Sequence, residues 1–507
     1  MKKPVIIIQA GGRGSRLRHH TWNKPKALVS YAGRPILFHI FDSFPNSEFI
    51  VIGDYHYDVI ESYLKVVPPG VDCTLIKAEG KGTMSGIAES LKLIEDDAPI
   101  ILLWSDVLFS KPPKLKFPKN PVVYLTNDFV CRWVYSFDKN KLLENPGNDN
   151  GVMGFFYFPN KLKLENIPNE GEFVKWISNQ DINFDVKTIK GASELGDFQT
   201  LEDANLREGF CRFFNDVKIG KDEVTKKVID PDYELVHERE LAWYDEVTTL
   251  GYKNVPKIKS KNPLVMERIF GSHAYEFETL SNSEQKKLLD NYLDTLNTLH
   301  GLKSGPPSEE DLREVYIDKT ISRVFEVSHL IPNFTKDSMT INGLKAKNIF
   351  SEQNRSMFND IFDLIEVQDF SSIHGDCTFS NSIIDQNLNV KLIDPRGYFA
   401  KPGILGDPNY DFSKLYYSAV GGYDLFNRRA FKLHFDDETA EIIMPKPLMQ
   451  DLALSMFQES FSKRQLLSIK IIHALIWLSL SGYAKDDYDS AIGSFYLGLY
   501  WLEDALK

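Results

Sequence analysis

The first apolar run and the turn after it are the features that most constrain the fold. Residues 4–9 read PVIIIQ, a short β-branched run, and residues 10–18 read AGGRGSRLR. A buried strand that feeds a glycine-rich turn is typical of an α/β unit. The glycines Gly11, Gly12 and Gly14 let backbone amides approach an anion closely, and such a loop can form an anion-binding nest. The pattern therefore predicts a phosphate site in this turn.

The charge distribution supports a localised anion site. The 507 residues include 59 Lys and Arg against 71 Asp and Glu, a formal charge of -12, yet residues 1–41 hold eight Lys or Arg and no acidic residue. An acidic protein with one positive segment is not expected to coat nucleic acid. Arg16 and Lys26 are the cations of this segment that we expect to contact a triphosphate.

Cysteine usage and hydropathy predict a cytoplasmic protein without membrane insertion. The four cysteines are widely spaced and form no CxxC pair, which argues against a disulfide framework or a clustered zinc site. The N-terminal apolar run is too short for a signal-peptide core. Residues 466–480 are apolar but include Lys470 and His473, so we predict a buried helix there. The cysteines are Cys73, Cys131, Cys211 and Cys377.

Length and periodicity predict a two-part chain. A chain of 507 residues is long enough for two to four folding units. Further apolar runs at 48–52, 99–103 and 121–125 alternate with helical patterns such as 57–66, which predicts an α/β, Rossmann-like unit with a mixed, mostly parallel sheet. We place its end near residue 205. From about residue 280 helical patterns dominate, except in residues 371–396, where short strands alternate with loops.

Three downstream features strengthen the anion-site prediction. Gly82 and Thr83 lie in a small-residue turn, EGKGTMSG, where a nucleobase could rest against the backbone. Asp106 ends the apolar run of ILLWSD, and a carboxylate at the end of a parallel strand is placed to hold Mg²⁺ over the sheet. Asp197, just before a predicted helix, is a second candidate metal ligand.

These motifs resemble those of the sugar-phosphate nucleotidyltransferases, a family that includes phosphocholine cytidylyltransferases. The family pattern GxG[ST]RLxxxTxxxPKxL is matched within residues 12–28. The resemblance covers residues 1–205 and implies transfer of a nucleoside monophosphate to a phosphomonoester, with release of pyrophosphate. It implies catalytic roles for Arg16 and Lys26 and Mg²⁺ ligation by Asp106 and Asp197. The residues it implies in nucleotide binding are Gly11, Gly12, Gly14, Ser15, Gly82 and Thr83.

A second constellation lies in the C-terminal half. Residues 374–381 read HGDCTFSN and residues 393–396 read IDPR. A phosphotransferase needs a base near the acceptor hydroxyl and oxygen ligands for Mg²⁺. The Asp, the Asn five residues later and the Asp after a short hairpin supply those groups. We expect His374 to brace the loop.

This constellation resembles that of the aminoglycoside phosphotransferase and choline kinase superfamily. The resemblance implies a two-lobed, protein-kinase-like (α+β) domain over residues 206–507, with a small lobe at about 206–270 and a helical large lobe at about 271–507. It implies that residues 264–271, with Glu267, form the adenine-binding hinge, and that Asp407 and Asp411 buttress the site. Lys226 and Lys227 are both candidates for the ATP-phosphate lysine, and the VxxK spacing favours Lys227. The remaining implied residues are Asp376 as base, Asn381 and Asp394 as metal ligands, and Glu240 as the partner of the lysine.

The two resemblances together predict a bifunctional enzyme that uses Mg²⁺ at both sites. ATP would phosphorylate a small sugar or polyol, and a second nucleoside triphosphate (CTP, UTP or GTP) would then activate the phosphomonoester for surface polysaccharide or lipid synthesis. One alternative is an aminoalcohol such as choline as acceptor, although the HGD and IDPRG sequences depart from the usual choline kinase motifs. Another is a kinase-like domain that acts only as a sensor or scaffold. The predicted partners are small molecules, and a homo-oligomer is left open.

Overall fold

The computed structural model describes residues 3–208, 215–229 and 231–507. The chain divides into two compact units. One comprises residues 1–209 and 486–488, and the other comprises residues 210–485 and 489–507. Each unit has an apolar core of its own.

The first unit is an α/β unit with a Rossmann-like, mixed sheet. Its helices are α1 (Ile36–Ser43), α2 (Tyr57–Val66), α3 (Ile87–Lys92), α4 (Phe173–Ile177) and α5 (Phe198–Glu208). Its strands are β1 (Val5–Gln9), β2 (Ser30–Tyr31), β3 (Arg34–Pro35), β4 (Glu48–Gly53), β5 (Cys73–Lys77), β6 (Ile100–Trp104), β7 (Val107–Phe109), β8 (Val122–Thr126), β9 (Cys131–Ser136), β10 (Lys141–Gly147), β11 (Gly151–Phe158), β12 (Asp185–Thr188) and β13 (Ala192–Glu194).

The central sheet has nine strands and runs β10-β9-β11-β6-β1-β4-β5, with β8 paired to β11 and β12. Strand β1 lies between β4 and β6, and both pairings are parallel, with Ile7 opposite Ile50 and Leu102. Strand β11 is antiparallel to β6, β8 and β9. The prediction of a mostly parallel sheet is therefore too simple: the β-rich segment 122–158 contributes an antiparallel half whose hairpins lack a helical crossover.

The central apolar runs form strands that are buried on both faces of the sheet. All of Ile6, Ile7 and Ile8 in β1 are buried, as a central parallel strand requires. Helix α2 buries one stripe, in which Ile60 and Tyr63 face the core at a spacing of three residues. The carboxyl ends of β1 and β6 consequently lie side by side, and the segments that follow them meet at one edge of the sheet.

The second unit combines small sheets with long helices. Its helices are α6 (Glu234–Thr249), α7 (Asn282–His300), α8 (Glu309–Arg313), α9 (Lys319–Glu326), α10 (Met357–Asp363), α11 (Pro408–Ala419), α12 (Tyr423–Asn427), α13 (Gln450–Ser460), α14 (Lys463–Tyr483) and α15 (Tyr488–Leu506). Its strands are β14 (Asn215–Ile219), β15 (Glu223–Val228), β16 (Ile258–Lys261), β17 (Leu264–Glu267), β18 (Ser304–Gly305), β19 (Ser338–Ile341), β20 (Leu344–Lys347), β21 (Phe370–Ser372), β22 (Ser382–Ile384), β23 (Val390–Leu392), β24 (Leu405–Gly406), β25 (Lys432–Phe435) and β26 (Thr439–Ile443).

The first part of this unit is an antiparallel sheet in the order β14-β15-β17-β16, followed in the chain by the helical part. Helix α7 shows how local sequence sets an element. The Ser281 hydroxyl accepts from the Glu284 amide at 3.3 Å, while the Glu284 carboxylate accepts from the Ser281 amide at 2.9 Å. This reciprocal cap starts the helix, and Leu288, Tyr292 and Leu296 then form its buried face.

One helix of the described ranges, α14, is long and apolar enough to cross a membrane. Of its most apolar 18-residue window, 72% is buried inside the unit. The His473 side chain is fully buried on this helix and accepts from the Trp477 indole N–H at 2.9 Å. This packing favours the predicted core helix at 466–480.

Gly498 tests how tightly α14 and α15 pack. A Cβ at this position would lie 2.5 Å from Leu478 Cγ and 2.8 Å from the Leu478 backbone nitrogen. We expect Gly498→Ala to lower the free energy of unfolding by about 1–3 kcal/mol, because overpacking forces the helices apart. Faster hydrogen exchange of the α14 amides would register the change.

Gly301→Ala is the matched control. This residue follows α7 with a φ of -74°, and an added Cβ would have no neighbour closer than 3.4 Å. The protection of backbone amides against hydrogen exchange should be unchanged or higher in this variant. Equal losses of unfolding free energy in the two variants would contradict the close packing at Gly498.

Candidate active sites

Lys26 and Asp106 form the centre of the site in the first unit. Lys26 follows Pro25 in a short 3₁₀ turn, and Asp106 lies between β6 and β7. The Lys26 ammonium donates to Asp106 Oδ2, and both side chains are largely buried. Because a buried charge is tolerated only when it is paired, the two residues hold the turn against the end of β6.

The glycine-rich turn folds directly onto this pair. Gly14 has a φ of +62°, and a Cβ there would lie 3.1 Å from Lys26 Cβ and 3.2 Å from Thr21 Cγ2. The Gly14 carbonyl accepts from the Leu17 amide at 2.8 Å and from the Thr21 hydroxyl at 3.2 Å. Glycine is therefore required both by the backbone conformation and by the close approach of neighbouring side chains.

The Gly82–Thr83 turn is held from two sides. The Thr83 carbonyl accepts from Gln9 Nε2 at 2.6 Å, and the Thr83 hydroxyl accepts from the Phe173 amide at 2.8 Å. Gly82 has a φ of +87°, and an added Cβ would collide with the Gly171 carbonyl oxygen. The turn therefore joins the end of β1 to the loop before α4.

The carboxylates of Asp197 and Glu194 have different partners. The Asp197 carboxylate accepts from the Thr200 amide at 3.0 Å and from its hydroxyl at 2.7 Å, and these bonds lower the pKa of Asp197. Asp197 thus caps the start of α5. Glu194, which the sequence analysis missed, accepts from Arg16 at 3.2 Å. Burial and the nearby Asp106 raise the pKa of Glu194.

A cavity of about 430 Å³ brings most of the predicted groups together. Asp197 and Glu194 are not among the described residues that line it, although Gly196, which lies between them in the chain, is. Arg16 and Lys26 provide positive charge to the cavity, and Asp54 and Asp106 provide negative charge. The lining residues that the sequence analysis predicted are Gly11, Gly12, Gly14, Ser15, Arg16, Lys26, Gly82, Thr83 and Asp106.

The donor set around Asp106 suits Mg²⁺. This ion takes one or two protein carboxylates together with water and phosphate oxygens, and Asp106 and Glu194 are neighbouring carboxylates. Leu195, next to Glu194, donates its amide to the Asp106 carbonyl at 2.9 Å. No group of three or more His, Cys, Asp or Glu side chains suited to a metal lies in the described ranges, so phosphate oxygens would have to complete the coordination.

Comparison with known proteins agrees with this geometry. Residues 6–116 match the family model of the MobA-like NTP transferase domain. The first unit carries a MobA-like NTP transferase domain. The match includes the glycine-rich turn, Lys26, the Gly82–Thr83 turn and Asp106. The nucleotidyltransferase part of the predicted resemblance is therefore confirmed at the level of the domain.

Two curated relatives align with the same region. UTP–glucose-1-phosphate uridylyltransferase AglF of Haloferax volcanii is 30% identical over 109 residues, which are 20% of this chain and 44% of the relative. A mannose-1-phosphate guanyltransferase of Debaryomyces hansenii is 32% identical over 113 residues, 21% of this chain and 31% of the relative. The chain thus spans less than half the length of these relatives.

Solved structures also align with the chain. HddC from Yersinia pseudotuberculosis, complexed with GMP-PN, is 17% identical and covers 41% of this chain and 100% of its own, with a TM-score of 0.35. The CTP:phosphocholine cytidylyltransferase LicC from Streptococcus pneumoniae is 16% identical with the same coverage and a TM-score of 0.33.

In the second unit, one buried lysine connects two predicted carboxylates. Lys226 Nζ lies 2.7 Å from Glu240 Oε2 and 2.9 Å from Asp394 Oδ1. Burial opposes the charge of Lys226, but the two carboxylates outweigh it and raise the pKa of the lysine. This triad joins β15, α6 and the segment after β23.

The preference for Lys227 over Lys226 is corrected by this geometry. Successive side chains of a strand point to opposite faces. Lys226 is buried on the face of β15 that meets Glu240, so Lys227 is exposed on the other face. The VxxK spacing therefore favours the lysine that does not meet Glu240.

Asp376 and Asn381 lie on one loop and contact each other. Asn381 Nδ2 donates to the Asp376 carboxylate at 2.9 Å and to its carbonyl at 2.8 Å. Lys414 of α11, which the sequence analysis did not single out, lies 2.9 Å from the other carboxylate oxygen of Asp376. The Ile393 amide donates to the Asn381 carbonyl at 2.9 Å, which brings the strand before Asp394 alongside.

Asp411 holds the loop that carries Asp376. Its carboxylate accepts from the backbone amides of His374 and Gly375, both at 2.8 Å, and from His300 Nε2 at 3.1 Å. Although burial opposes ionisation, these partners lower the pKa of Asp411. His374 itself donates through its Nε2–H to the Ile393 carbonyl, 3.0 Å away, and its Nδ1 accepts from the Asp376 amide at 3.2 Å, which agrees with a bracing function.

The predicted hinge segment begins in β17. Glu267 is the last residue of this strand, and its amide donates to the Lys257 carbonyl at 2.9 Å. Further along, the Ser272 amide donates to the Ile384 carbonyl at 3.1 Å. The segment 264–271 therefore connects the four-stranded sheet to the hairpin β22–β23, which lies between Asn381 and Asp394.

The oxygen donors of Asn381 and Asp394 also suit Mg²⁺, which prefers such ligands together with phosphate oxygens. Asn381 uses its amide nitrogen toward Asp376, so its side-chain oxygen is the atom that would coordinate the ion. Asp394, with a φ of +55°, is in a conformation that Asp tolerates better than most residues.

The triad predicts that substitutions of two adjacent lysines have very different effects on the free energy of unfolding. Lys226→Met should lower the free energy of unfolding by about 3–5 kcal/mol, because it leaves Glu240 buried without its cation. Lys227→Met, the matched control, should change it by less than about 0.5 kcal/mol, as exposed substitutions usually do. Urea unfolding followed by hydrogen exchange in α6 measures both. A larger loss at Lys227 would contradict the assigned faces of β15.

Asp407, at the start of α11, predicts that the stability of the folded state depends on pH. Asp407 accepts from the Tyr316 hydroxyl at 2.7 Å, and burial raises the pKa of Asp407 to about 6. The folded state therefore binds the proton more tightly than the unfolded state, so this contribution, roughly 3 kcal/mol, is present below pH 4 and is lost as pH rises through 6.

Asp407→Asn is neutral at every pH and should remove this dependence. The difference in unfolding free energy between the variant and the wild type should shift in favour of the variant from pH 4 to pH 7. Chemical denaturation across this range measures the difference. A constant difference would show that Asp407 titrates normally in the folded protein.

Proposed function

We propose that the chain is a bifunctional transferase. Its second unit would use ATP to phosphorylate a small sugar or polyol hydroxyl, and its first unit would couple the resulting phosphomonoester to a nucleoside monophosphate. The product would be a nucleotide-activated precursor for surface polysaccharide or lipid.

The first reaction site is supported by the Lys26–Asp106 pair inside a matched NTP transferase domain. A phosphomonoester oxygen would attack the α-phosphorus of the triphosphate, the bond to the α,β-bridging oxygen would break, and pyrophosphate would leave. Such reactions depend on positioning and charge neutralisation. Lys26 and Arg16 supply positive charge at the cavity wall, and the glycine-rich turn allows the phosphates a close approach. Mg²⁺ bound at Asp106 and Glu194 would add Lewis-acid stabilisation.

The kinase reaction is supported by one observation above all: Asp376 is bonded to Asn381 and Asp394 to Lys226, and the backbone bond from Ile393 to Asn381 holds the two pairs side by side. The acceptor hydroxyl oxygen would attack the γ-phosphorus of ATP, the bond to the β,γ-bridging oxygen would break, and ADP would leave. Asp376 would receive the hydroxyl proton. Lys226, held by Glu240, would contact the ATP phosphates, and Asn381 and Asp394 would hold Mg²⁺.

Separate inactivation of the two sites tests the proposal. Full-length protein with Mg²⁺, a nucleoside triphosphate and a panel of phosphomonoesters should release pyrophosphate. Lys26→Ala should lower that rate by about 10²- to 10³-fold, since it removes a charge-stabilising donor, and should spare ATP-dependent phosphorylation. Asp376→Asn should lower phosphorylation by about 10²- to 10⁴-fold and spare pyrophosphate release.

The controls are Lys65→Ala on the surface of α2 and Asp363→Asn at the end of α10, both exposed, and neither should affect either rate. Loss of both activities in one variant would argue against two independent sites. Pyrophosphate release without any ATP-dependent phosphorylation would instead support a second unit that only senses or scaffolds.

A further inference from the structure

The second unit contains a cavity of about 240 Å³ that adjoins its proposed reaction centre. Asp376 and Asp394 line one part of it, and the other lining residues include members of α6, α9, α11, α12 and α14. No residue of β14–β17 or of the segment 264–271 is among the described lining residues. The cavity is therefore separate from the segment proposed to bind adenine, and it opens onto Asp376, the proposed base for the acceptor hydroxyl.

The ionisable lining of this cavity is predominantly cationic. Among the described residues, four cations face two carboxylates, a formal excess of two positive charges. The two carboxylates already have cationic partners: Asp376 is paired with Lys414 and Asp394 with Lys226, both at 2.9 Å. The four cations are Lys319, Arg323, Arg396 and Lys414.

The other three cations contact hydroxyls and aromatic rings in place of carboxylates. Arg323 donates to the Ser479 hydroxyl at 3.1 Å, and Arg396 donates to the Tyr410 hydroxyl at 3.0 Å. Lys319 Nζ lies 5.6 Å from the centre of the Tyr410 ring. None of the three forms a salt bridge within the part of the chain that the structure describes. Their N–H donor groups are thus available to an anion in the cavity.

Lys319 and Arg323 are one helical turn apart on α9 and present their side chains to the same cavity. Burial, Arg396 and Arg323 lower the pKa of Lys319 well below its usual value. Mutual repulsion of this kind is relieved when an anion binds between the cations. A second cation, such as a quaternary ammonium, would add to the repulsion.

We propose that the acceptor of the second unit is a small hydroxyl compound that also carries an anionic group, a carboxylate or a phosphate ester. Lys319 and Arg323, with Arg396, would bind the anionic group while the hydroxyl lies against Asp376. The tyrosine-rich lining provides further hydroxyl partners, and the volume is below that of pockets for drug-sized ligands. This inference rests on the proposed kinase function of the second unit and narrows its substrate class.

Matched acceptors test the proposal in the full-length protein. ATP-dependent phosphate transfer would be measured with glycerol, glycerate, glycerol 3-phosphate and choline, and with glucose, gluconate and glucose 6-phosphate. We expect kcat/KM for an anionic member of a series to exceed that of its neutral parent by at least about tenfold, with choline lowest. The carboxylate and phosphate arms identify which anion the cavity prefers.

Variants connect the preference to the cavity. Lys319→Met and Arg323→Met should each raise KM for the anionic acceptor about tenfold, roughly the effect of one charge-assisted hydrogen bond, with little change in kcat or in KM for ATP. Lys345→Met, an exposed lysine of β20, is the control and should change none of these values. An increase in KM for ATP in place of the acceptor would overturn the proposal, because the cations would then serve the nucleotide.

Calorimetric binding to the Asp376→Asn variant separates this inference from the proposed function. If no compound is phosphorylated but anionic acceptors bind in a manner that depends on Lys319, the kinase function is wrong and the anion site stands. If neutral compounds or choline are phosphorylated more efficiently than the anions, the anion site is wrong and the kinase function stands. If the anions neither bind nor react, the anion site is wrong.

Discussion

The pairing of buried lysines with carboxylates is the constraint on which both candidate sites depend. A buried lysine that keeps its charge is stabilised by an anionic partner close by, and the partner positions the loop that carries it. In the first unit Lys26 is bonded to Asp106, which holds the glycine-rich turn at the end of β6. In the second unit Lys226 is bonded to Glu240 and Asp394, which connects a strand, a helix and a loop. In each unit the lysine and one carboxylate of these ion pairs are also residues proposed to bind phosphate and Mg²⁺.

Sequence patterns predicted those parts of the sites that depend on local structure. The strand β1, its glycine-rich turn and Asp106 were predictable because apolar runs, glycine and a terminal carboxylate each have a direct local meaning. The loop with Asp376 and Asn381 was predictable because its residues are close in the chain. The matched domain over residues 6–116 agrees with the first of these predictions, while the kinase assignment rests on the geometry of the second unit.

The remaining features depend on contacts that the sequence does not encode locally. Lys226 and Lys227 are adjacent, and only the pairing of β15 with its neighbours determines which of them faces Glu240. Glu194 approaches Asp106 because the short strand β13 pairs with β7, across more than 80 residues of chain. The cationic cavity gathers Lys319, Arg396 and Lys414 from separate elements, so no single stretch of sequence reveals their combined charge.

The contact between Gly82 and Gly171 has a consequence for variation in the first unit. Each residue has a positive φ, and a side chain on Gly82 would occupy the space of the Gly171 backbone. A Cβ on Gly82 therefore needs the backbone of the Gly171 loop to move, whereas a Cβ on Gly171 would meet only the end of the Met84 side chain. The constraint is one-sided: a side chain at position 82 requires a compensating shift of the opposite loop, while position 171 is limited mainly by its own backbone conformation. Variation in this pair of loops should therefore begin on the Gly171 side.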